Sequence, residues 1–243
     1  MVAIDKPVAL VTGAAHGLGL EVARQLAVAG QHVIISARDP AAAAAAADRL
    51  GPDVAALPVG LDITDPDDVR AAAAALTATP GRLDVLVNNA AAYVDWTGTA
   101  AGADLDAVRQ VMETNLFGAW RLTQALLDLL RRSPAPRIVN VSSGAGSHGD
   151  HAFGLTSRGG AAAGYGVSKA ALNALTSTLA DELAGTAILV NAVCPGLTAT
   201  WPGAESMGAR PVAASAPGVV WAATLPADGP TGGFFRDTQP LPW

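Results

Sequence analysis

The chain has 243 residues, of which 51% are hydrophobic and 15% are charged. This length and composition predict one α/β domain over residues 1–243 with a substantial buried core and little disorder. The formal net charge is -6 and the basic residues are scattered. Phosphate backbones need a concentrated basic surface, so nucleic acid is excluded as the main partner.

The single cysteine, Cys194, excludes an intrachain disulfide and suits a reducing compartment. Residues 1–7 lack the basic region and apolar run of a signal peptide. The apolar stretches are broken by charged residues before they reach the length of a membrane span. We therefore expect a cytoplasmic protein that has no membrane partner.

Short, almost continuously apolar segments alternate with segments of helical composition along the chain. In chain order the strand-like segments are Val8–Val11, Val33–Ser36, Val54–Val59, Val85–Val87, Ile138–Val141 and Ile188–Val193. The helix-like segments between them are Leu18–Ala29, Pro40–Leu50, Pro66–Thr79, Leu105–Arg132 and Tyr165–Leu183. This alternation predicts a Rossmann-like, doubly wound parallel sheet with helices on both faces. Residues 198–230, rich in Gly, Pro and Ala, are expected to form a substrate-binding loop and one helix.

A glycine-rich turn follows the first predicted strand, in the sequence Thr12-Gly13-Ala14-Ala15-His16-Gly17-Leu18-Gly19. Glycines let the backbone approach a pyrophosphate closely, and the N-terminus of the next helix offers unpaired N–H groups to the anion. The spacing differs from the general dinucleotide fingerprint G-x-G-x-x-G. Taken alone, the turn is equally compatible with a tight connection between strand and helix.

This turn resembles the cofactor motif of short-chain dehydrogenases/reductases of the classical type. Asn88-Asn89-Ala90-Ala91, after the fourth strand, is similar to the Asn-Asn-Ala-Gly segment of that family, with Ala91 in place of the glycine. The resemblance covers essentially the whole chain and implies an NAD(P)-binding oxidoreductase. It places the cofactor contacts at Gly13, His16, Gly17, Leu18, Gly19, Arg38, Asp62, Ile63, Asn89, Ala90, Tyr165, Lys169, Pro195, Gly196 and Thr200.

The tip of the second strand indicates which cofactor is bound. Ala37 stands where NAD-binding relatives carry an acid, and Arg38 follows it. A guanidinium matches the charge and geometry of a 2′-phosphate, and His16 offers a further donor, so NADP(H) is expected. Arg38 could instead pair with Asp39 or face solvent. Asp62 resembles the family's acidic residue near the adenine, although an Asp that caps a turn would look the same.

Tyr165 and Lys169 are one helical turn apart and therefore share a helix face. A nearby ammonium lowers the pKa of a phenol and makes it usable as a general acid or base. By resemblance, Ser143 binds the substrate oxygen, and Asn115 distorts its helix and helps to hold a proton-relay water. Asn115, Ser143, Tyr165 and Lys169 thus form the expected catalytic tetrad. Lys169 is also expected to contact the nicotinamide ribose.

The segment between Ser143 and Tyr165 (insertion 144–164) is longer than in common family members. This length, and the closing segment from Gly232 to Trp243, resemble the carbonyl reductase subgroup. His148, Asp150 and His151 could suggest a metal site, but a polar, flexible loop is favoured and no metal is expected. Trp96, Trp201 and Trp221 could line a pocket for a bulky substrate or could simply pack in the core or on the surface.

The expected function is NADPH-dependent reduction of the carbonyl group of a ketone, aldehyde or quinone. One alternative is a secondary-alcohol dehydrogenase that works in the oxidative direction. Another is an NADP-binding regulatory protein without turnover, which would not need an intact tetrad. The sequence leaves the choice between a monomer and a homo-oligomer open.

Overall fold

An eight-stranded sheet runs through the protein, whose computed structural model describes residues 5–243. The strands lie in the order β3-β2-β1-β4-β5-β6-β7-β8. All neighbours are parallel except the last pair, β7 and β8, which is antiparallel. The predicted doubly wound architecture is confirmed, and its strand order reverses between β1 and β4.

The elements alternate along the chain as predicted. The strands are β1 (Val8–Val11), β2 (His32–Ile35), β3 (Val54–Ala56), β4 (Val85–Asn88), β5 (Arg137–Val141), β6 (Leu189–Val193), β7 (Phe234–Arg236) and β8 (Gln239–Pro240). The α-helices are α1 (Gly17–Val28), α2 (Pro40–Leu50), α3 (Pro66–Ala78), α4 (Leu105–Met112), α5 (Ala119–Leu130), α6 (Ala163–Glu182) and α7 (Val212–Ala223). Short 3₁₀ turns cover Gly144–Gly146 and Ala204–Met207.

Three helices begin at aspartates that cap them. Asp39, Asp65 and Asp104 each accept a hydrogen bond from a backbone N–H in the first turn of α2, α3 and α4. In α2 and α3 a proline follows the cap, and its fixed φ suits the first helical position. The starts of these helices are therefore fixed by local chemistry.

Each face of the sheet has its own core, because alternate residues of a strand point to opposite faces. Val8 and Leu10 of β1 pack with α3, α5 and α6, whereas Ala9 and Val11 pack with α1, α2 and α7. Leu10 and Val11 are both fully buried. Full burial of such side chains contributes roughly 1.5–3 kcal/mol each, and the two layers hold the carboxyl ends of the strands rigidly.

The structure differs from the sequence prediction at several elements. The helix predicted over Leu105–Arg132 is two α-helices, α4 and α5, joined by a π-helical segment at Glu113–Gly118. The third strand ends at Ala56 and not at Val59. Strands β7 and β8 were not predicted, since three and two residues are too few to show an alternating pattern.

The helix expected within residues 198–230 is α7, which packs beside α1 on the face of the sheet that Ala9 and Val11 point to. No helix among residues 5–243 combines the length and the apolar character needed to cross a membrane. Residues 1–4, on which part of the N-terminal interpretation rests, lie outside the described residues.

Candidate active site

A cleft of about 950 Å³ opens at the carboxyl ends of the strands, where the order reverses between β1 and β4. Ligands of open α/β sheets bind at such a switch point. Every predicted site residue except Asn115 lines it. They are Gly13, His16, Gly17, Leu18, Gly19, Arg38, Asp62, Ile63, Asn89, Ala90, Ser143, Tyr165, Lys169, Pro195, Gly196 and Thr200.

The glycine turn has the backbone shape that a bound pyrophosphate requires. Gly13 and Gly17 have φ of 63° and 60°, in the left-handed region that side chains disfavour. A Cβ on Gly19 would lie 2.5 Å from Asn89 Nδ2 and 2.8 Å from the Gly13 carbonyl oxygen. Helix α1 then begins without a side-chain cap and without an acid in its first turn. Its free N–H groups and positive dipole end suit a phosphate.

The Asn-Asn-Ala-Ala segment is bonded to this turn. Asn89 Nδ2 donates to the carbonyl oxygens of Thr12 (2.8 Å) and Gly13 (3.2 Å), and the Thr12 hydroxyl accepts from the Asn89 and Ala90 amides. Among the described residues, positive φ outside glycine occurs only at Ala162, Asp237 and Thr238. Ala91 therefore takes the place of the family's glycine without backbone strain.

At the tip of β2, Arg38 and His16 are exposed at the cleft edge, and no described residue accepts a hydrogen bond from either side chain. Asp39 instead caps α2, which leaves the Arg38 guanidinium available. Asp62 accepts bonds from the Thr64 amide and hydroxyl, so it caps a turn while it also faces the cleft. Burial opposes ionisation of Asp62, but the Thr64 bonds and the Arg38 charge outweigh it and lower its pKa.

Tyr165 lies at the start of α6 beneath two other aromatic rings. Its ring stacks on Tyr93 at 5.3 Å between centroids, and Trp96 contacts it edge-on at 5.1 Å. Tyr165 itself is 7% exposed, whereas Tyr93 and Trp96 are 56% and 45% exposed at the cleft mouth. The rings cover the phenol and keep solvent away from it.

Burial raises the pKa of Tyr165, and the Ser143 hydroxyl and the Arg158 charge only partly oppose this effect. Lys169 Nζ lies 5.7 Å from the Tyr165 ring centroid and donates to the Val141 carbonyl oxygen at 2.9 Å. Burial lowers the pKa of Lys169 to about 8. Desolvation dominates the pKa values of both groups here, and that Lys169 lowers the Tyr165 pKa stays a prediction.

The two serines at the end of β5 have different partners. Ser143 is half-buried on the cleft wall, and its hydroxyl accepts a bond from the Ala145 amide at 3.1 Å. Ser142 is buried and lies 2.5 Å from Asn173 Oδ1, to which its hydroxyl donates. Ser143 therefore presents its hydroxyl to the cleft beside the Tyr165 phenol, whereas Ser142 is held by Asn173.

Asn115 lies in the π-helical segment, so the helix distortion that the resemblance implies is present. It is 1% exposed and does not line the cleft. Its side chain exchanges bonds of 2.8 and 2.9 Å with the Ala92 backbone and donates to Ser168 Oγ at 3.0 Å. Asn115 thereby ties the loop after β4 to α6, the helix of Tyr165.

The insertion 144–164 is fastened to the end of the chain. Ser147 Oγ donates to the Pro242 carbonyl at 2.6 Å, and the His148 and Gly149 amides donate to that of Trp243. Asp150 forms an ion pair with Arg236 of β7. Among residues 5–243 no group of three potential metal ligands comes together, and His148 and His151 are exposed.

Several lining residues were missed or left open by sequence reasoning. Trp96 and Trp201 line the cleft, whereas Trp221 packs against Phe235 in the interior. Tyr93, Phe153, Arg158 and Arg236 were not predicted. Position could have suggested Tyr93, which lies two residues after the Asn-Asn-Ala-Ala segment, but Phe153 and Arg158 lie in a loop without periodicity.

Known proteins are similar to this chain over most of its length. The family model described as short chain dehydrogenase matches residues 7–207. A 3-oxoacyl-[acyl-carrier-protein] reductase of rhamnolipid biosynthesis from Pseudomonas aeruginosa is 39% identical over 200 residues, which cover 78% of this chain and 72% of the relative.

Solved structures show the same likeness. An NADPH-bound carbonyl reductase from chicken fatty liver has a TM-score of 0.84 at 28% identity, covering 99% of this chain and 100% of its own. A variant of actinorhodin polyketide ketoreductase with NADPH has a TM-score of 0.82 at 30% identity, covering 96% of both chains. The family model spans residues 7–207, and the reductase from Pseudomonas aeruginosa is 39% identical over 78% of this chain. The chain therefore belongs to the short-chain dehydrogenase/reductase family.

Proposed function

We propose that the protein is an NADPH-dependent carbonyl reductase that acts on a ketone, aldehyde or quinone. One observation carries the proposal: a buried phenol, Tyr165, and the serine hydroxyl beside it, Ser143, face the same cleft as a glycine turn suited to pyrophosphate. Both relatives whose structures carry NADPH are reductases of carbonyl groups by their names.

The residues of the nucleotide end would hold NADP(H). The glycine turn and the N-terminus of α1 would take the pyrophosphate, and Arg38 with His16 would take the 2′-phosphate. Asp62 and Ile63 would border the adenine, while Asn89, Ala90, Pro195, Gly196, Thr200 and Lys169 would border the nicotinamide half. Bound NADPH supplies the hydride that reduces the carbonyl carbon.

The chain's own residues would bind and protonate the carbonyl oxygen. Ser143 would donate a hydrogen bond to that oxygen and hold it at Tyr165, which would transfer the phenolic proton to it. Because burial raises the Tyr165 pKa, the phenol carries its proton at neutral pH and has it available for the carbonyl oxygen. Asn115 would position the loop after β4 and helix α6 around the phenol. Lys169 would be held in place by the hydrogen bond that its ammonium donates to the Val141 carbonyl oxygen.

The test is the consumption of NADPH and of NADH against a panel of ketones, aldehydes and quinones. We expect turnover with NADPH and at least one carbonyl class. Turnover only of alcohols with NADP⁺ would instead support an oxidative dehydrogenase. Tight NADPH binding with no turnover of either panel would support the regulatory protein and overturn this proposal.

A further inference from the structure

The catalytic end of the cleft contains an arginine that no described residue neutralises. Arg158, in the insertion, lines the cleft together with Tyr165 and Phe153. Its Nε is buried and has no hydrogen-bond partner, and its guanidinium forms no ion pair with any residue in 5–243. A buried donor without a partner costs about 1–3 kcal/mol, so an arrangement of this kind points to a ligand that accepts from it.

Arg158 has open space beside it. The side chain lies between the main cleft and a smaller cavity of about 120 Å³, which is also lined by Leu155, Val167 and backbone of the insertion. The charge of Arg158 reaches the reacting phenol, since it works to lower the Tyr165 pKa. One substrate molecule can therefore place its carbonyl at Tyr165 and another of its groups at Arg158, since both residues line the same cleft.

The neighbouring charges favour an anion at this end. Besides Arg158, the basic side chains that line this end of the cleft are Lys169 and Arg236, and no carboxylate among the described residues lines it. Asp150 is already paired with Arg236 and accepts from the Ala152 and Phe153 amides. Arg236 is thus neutralised, and Arg158 is left as the guanidinium with unused donors at this end.

Four aromatic side chains line the same cleft as Arg158. Tyr93, Trp96, Phe153 and Trp201 line the cleft and are 56%, 45%, 45% and 40% exposed. Such rings bind flat or bulky apolar groups, and polar groups placed among them set orientation. An apolar body and one fixed cation are complementary to an apolar carbonyl compound that carries an acid.

We propose that Arg158 is the specificity-determining residue that binds a carboxylate of the substrate, so that the physiological substrate is an apolar oxo acid. This inference rests on the proposed reductase function. The guanidinium would take the carboxylate through two parallel hydrogen bonds while Ser143 and Tyr165 take the carbonyl oxygen. Two fixed points would orient the carbonyl for hydride transfer.

The test compares oxo acids with their neutral methyl esters, in the wild type and in Arg158→Gln. The probes are benzoylformate, para-acetylbenzoate and levulinate, which place the carboxylate at three separations from the carbonyl. For at least one pair we expect the wild type to favour the acid, and Arg158→Gln to lower kcat/KM for that acid about 10- to 100-fold. The ester should change by less than about threefold, and Arg158→Lys should restore part of the loss.

Arg131→Gln is the matched control, because Arg131 is an exposed arginine at the C-terminal end of α5 that is paired with Asp128 and does not line the cleft. It should leave the acid preference unchanged. Calorimetric titration of the same carboxylates into the NADP⁺-saturated enzyme measures their binding without turnover. That binding should weaken in Arg158→Gln and not in Arg131→Gln.

The outcomes separate this inference from the proposed function. Reduction of acids and esters at equal rates, unaffected by Arg158→Gln, would leave the reductase standing and overturn the role of Arg158. Carboxylate binding that depends on Arg158 without any reduction would support the role and remove the reductase. Equal weakening of the binding of NADPH and of the acids in Arg158→Gln would assign Arg158 to the cofactor and overturn the inference. The inference would also be overturned if the wild type neither bound nor reduced any of the carboxylates.

Discussion

The groups proposed for the reaction and those proposed to bind the nucleotide phosphate are held in opposite ways. At the catalytic end Asn115 and Lys169 are 1% and 2% exposed, and each already donates to a protein acceptor. At the nucleotide end Arg38 and His16 are exposed, and no described residue holds their side chains. The protein itself therefore positions Asn115 and Lys169 of the proposed catalytic groups, whereas the proposed nucleotide contacts Arg38 and His16 have no side-chain partner among the described residues.

This difference has an energetic meaning. Groups that are positioned before binding lose little conformational entropy at the moment of reaction, which favours the chemical step. An exposed arginine loses side-chain entropy when it binds, but a change there disturbs no buried network. Cofactor choice should accordingly be easy to change, whereas changes at the catalytic end should affect both turnover and folding energetics.

The sharpest separation of the two ends comes from Tyr165→Phe. Loss of the general acid should lower kcat about 10²- to 10⁴-fold, while NADPH affinity, measured by fluorescence titration, should stay within about threefold. The matched control is Tyr93→Phe, which removes the phenolic hydroxyl of the ring stacked on Tyr165. It should lower kcat much less than Tyr165→Phe does, and equal losses of kcat in the two variants would refute the role of Tyr165.

Arg38→Ala tests the nucleotide end alone. Loss of a guanidinium that binds a 2′-phosphate should weaken NADPH about 10- to 100-fold and NADH by less than about threefold. Titration of both cofactors measures the ratio of the two effects. Arg49→Ala, at the exposed last turn of α2, is the control and should change neither affinity. Equal losses for both cofactors in Arg38→Ala would contradict a 2′-phosphate contact.

The sequence was sufficient for the parts of the molecule that follow periodic or motif rules. Six of the strands, the glycine turn and the order of Ser143, Tyr165 and Lys169 are set by local composition and by a motif. Which residues meet across the insertion depends on tertiary contacts. Arg158 and Phe153 reach the cleft because Asp150, Ser147 and the chain end fix the loop, and no local pattern encodes those partners.

The burial that dominates the pKa values of Tyr165 and Lys169 was not predicted, for the same reason. Helical spacing correctly places both side chains on one face of α6, where the ammonium would stabilise a phenolate. Spacing carries no information on desolvation, however. Tyr93 and Trp96 bury the phenol, and Val141 provides the acceptor for Lys169, so burial dominates both pKa values.

A smaller effect, in the pH dependence of stability, reports on the buried ammonium of the catalytic end. Burial lowers the Lys169 pKa from 10.5 to about 8 in the folded protein. Between about pH 8 and 10 the unfolded chain therefore binds more protons at this residue than the folded protein does, and stability contributed by Lys169 rises with pH. The slope should be on the order of 1 kcal/mol per pH unit, measured by denaturant unfolding at a series of pH values.

Lys169→Met should remove that part of the slope, whereas Lys6→Met, which changes the chain's other lysine on the exposed surface, should keep it. Tyr165 is present in both variants, so its own titration cancels in the comparison of the two slopes. Above pH 10 the raised Tyr165 pKa acts in the opposite sense, because the folded protein then retains a proton that the unfolded chain loses. If both lysine variants kept the same slope between pH 8 and 10, Lys169 would not be desolvated in solution, and the catalytic end would be as open to water as the nucleotide end.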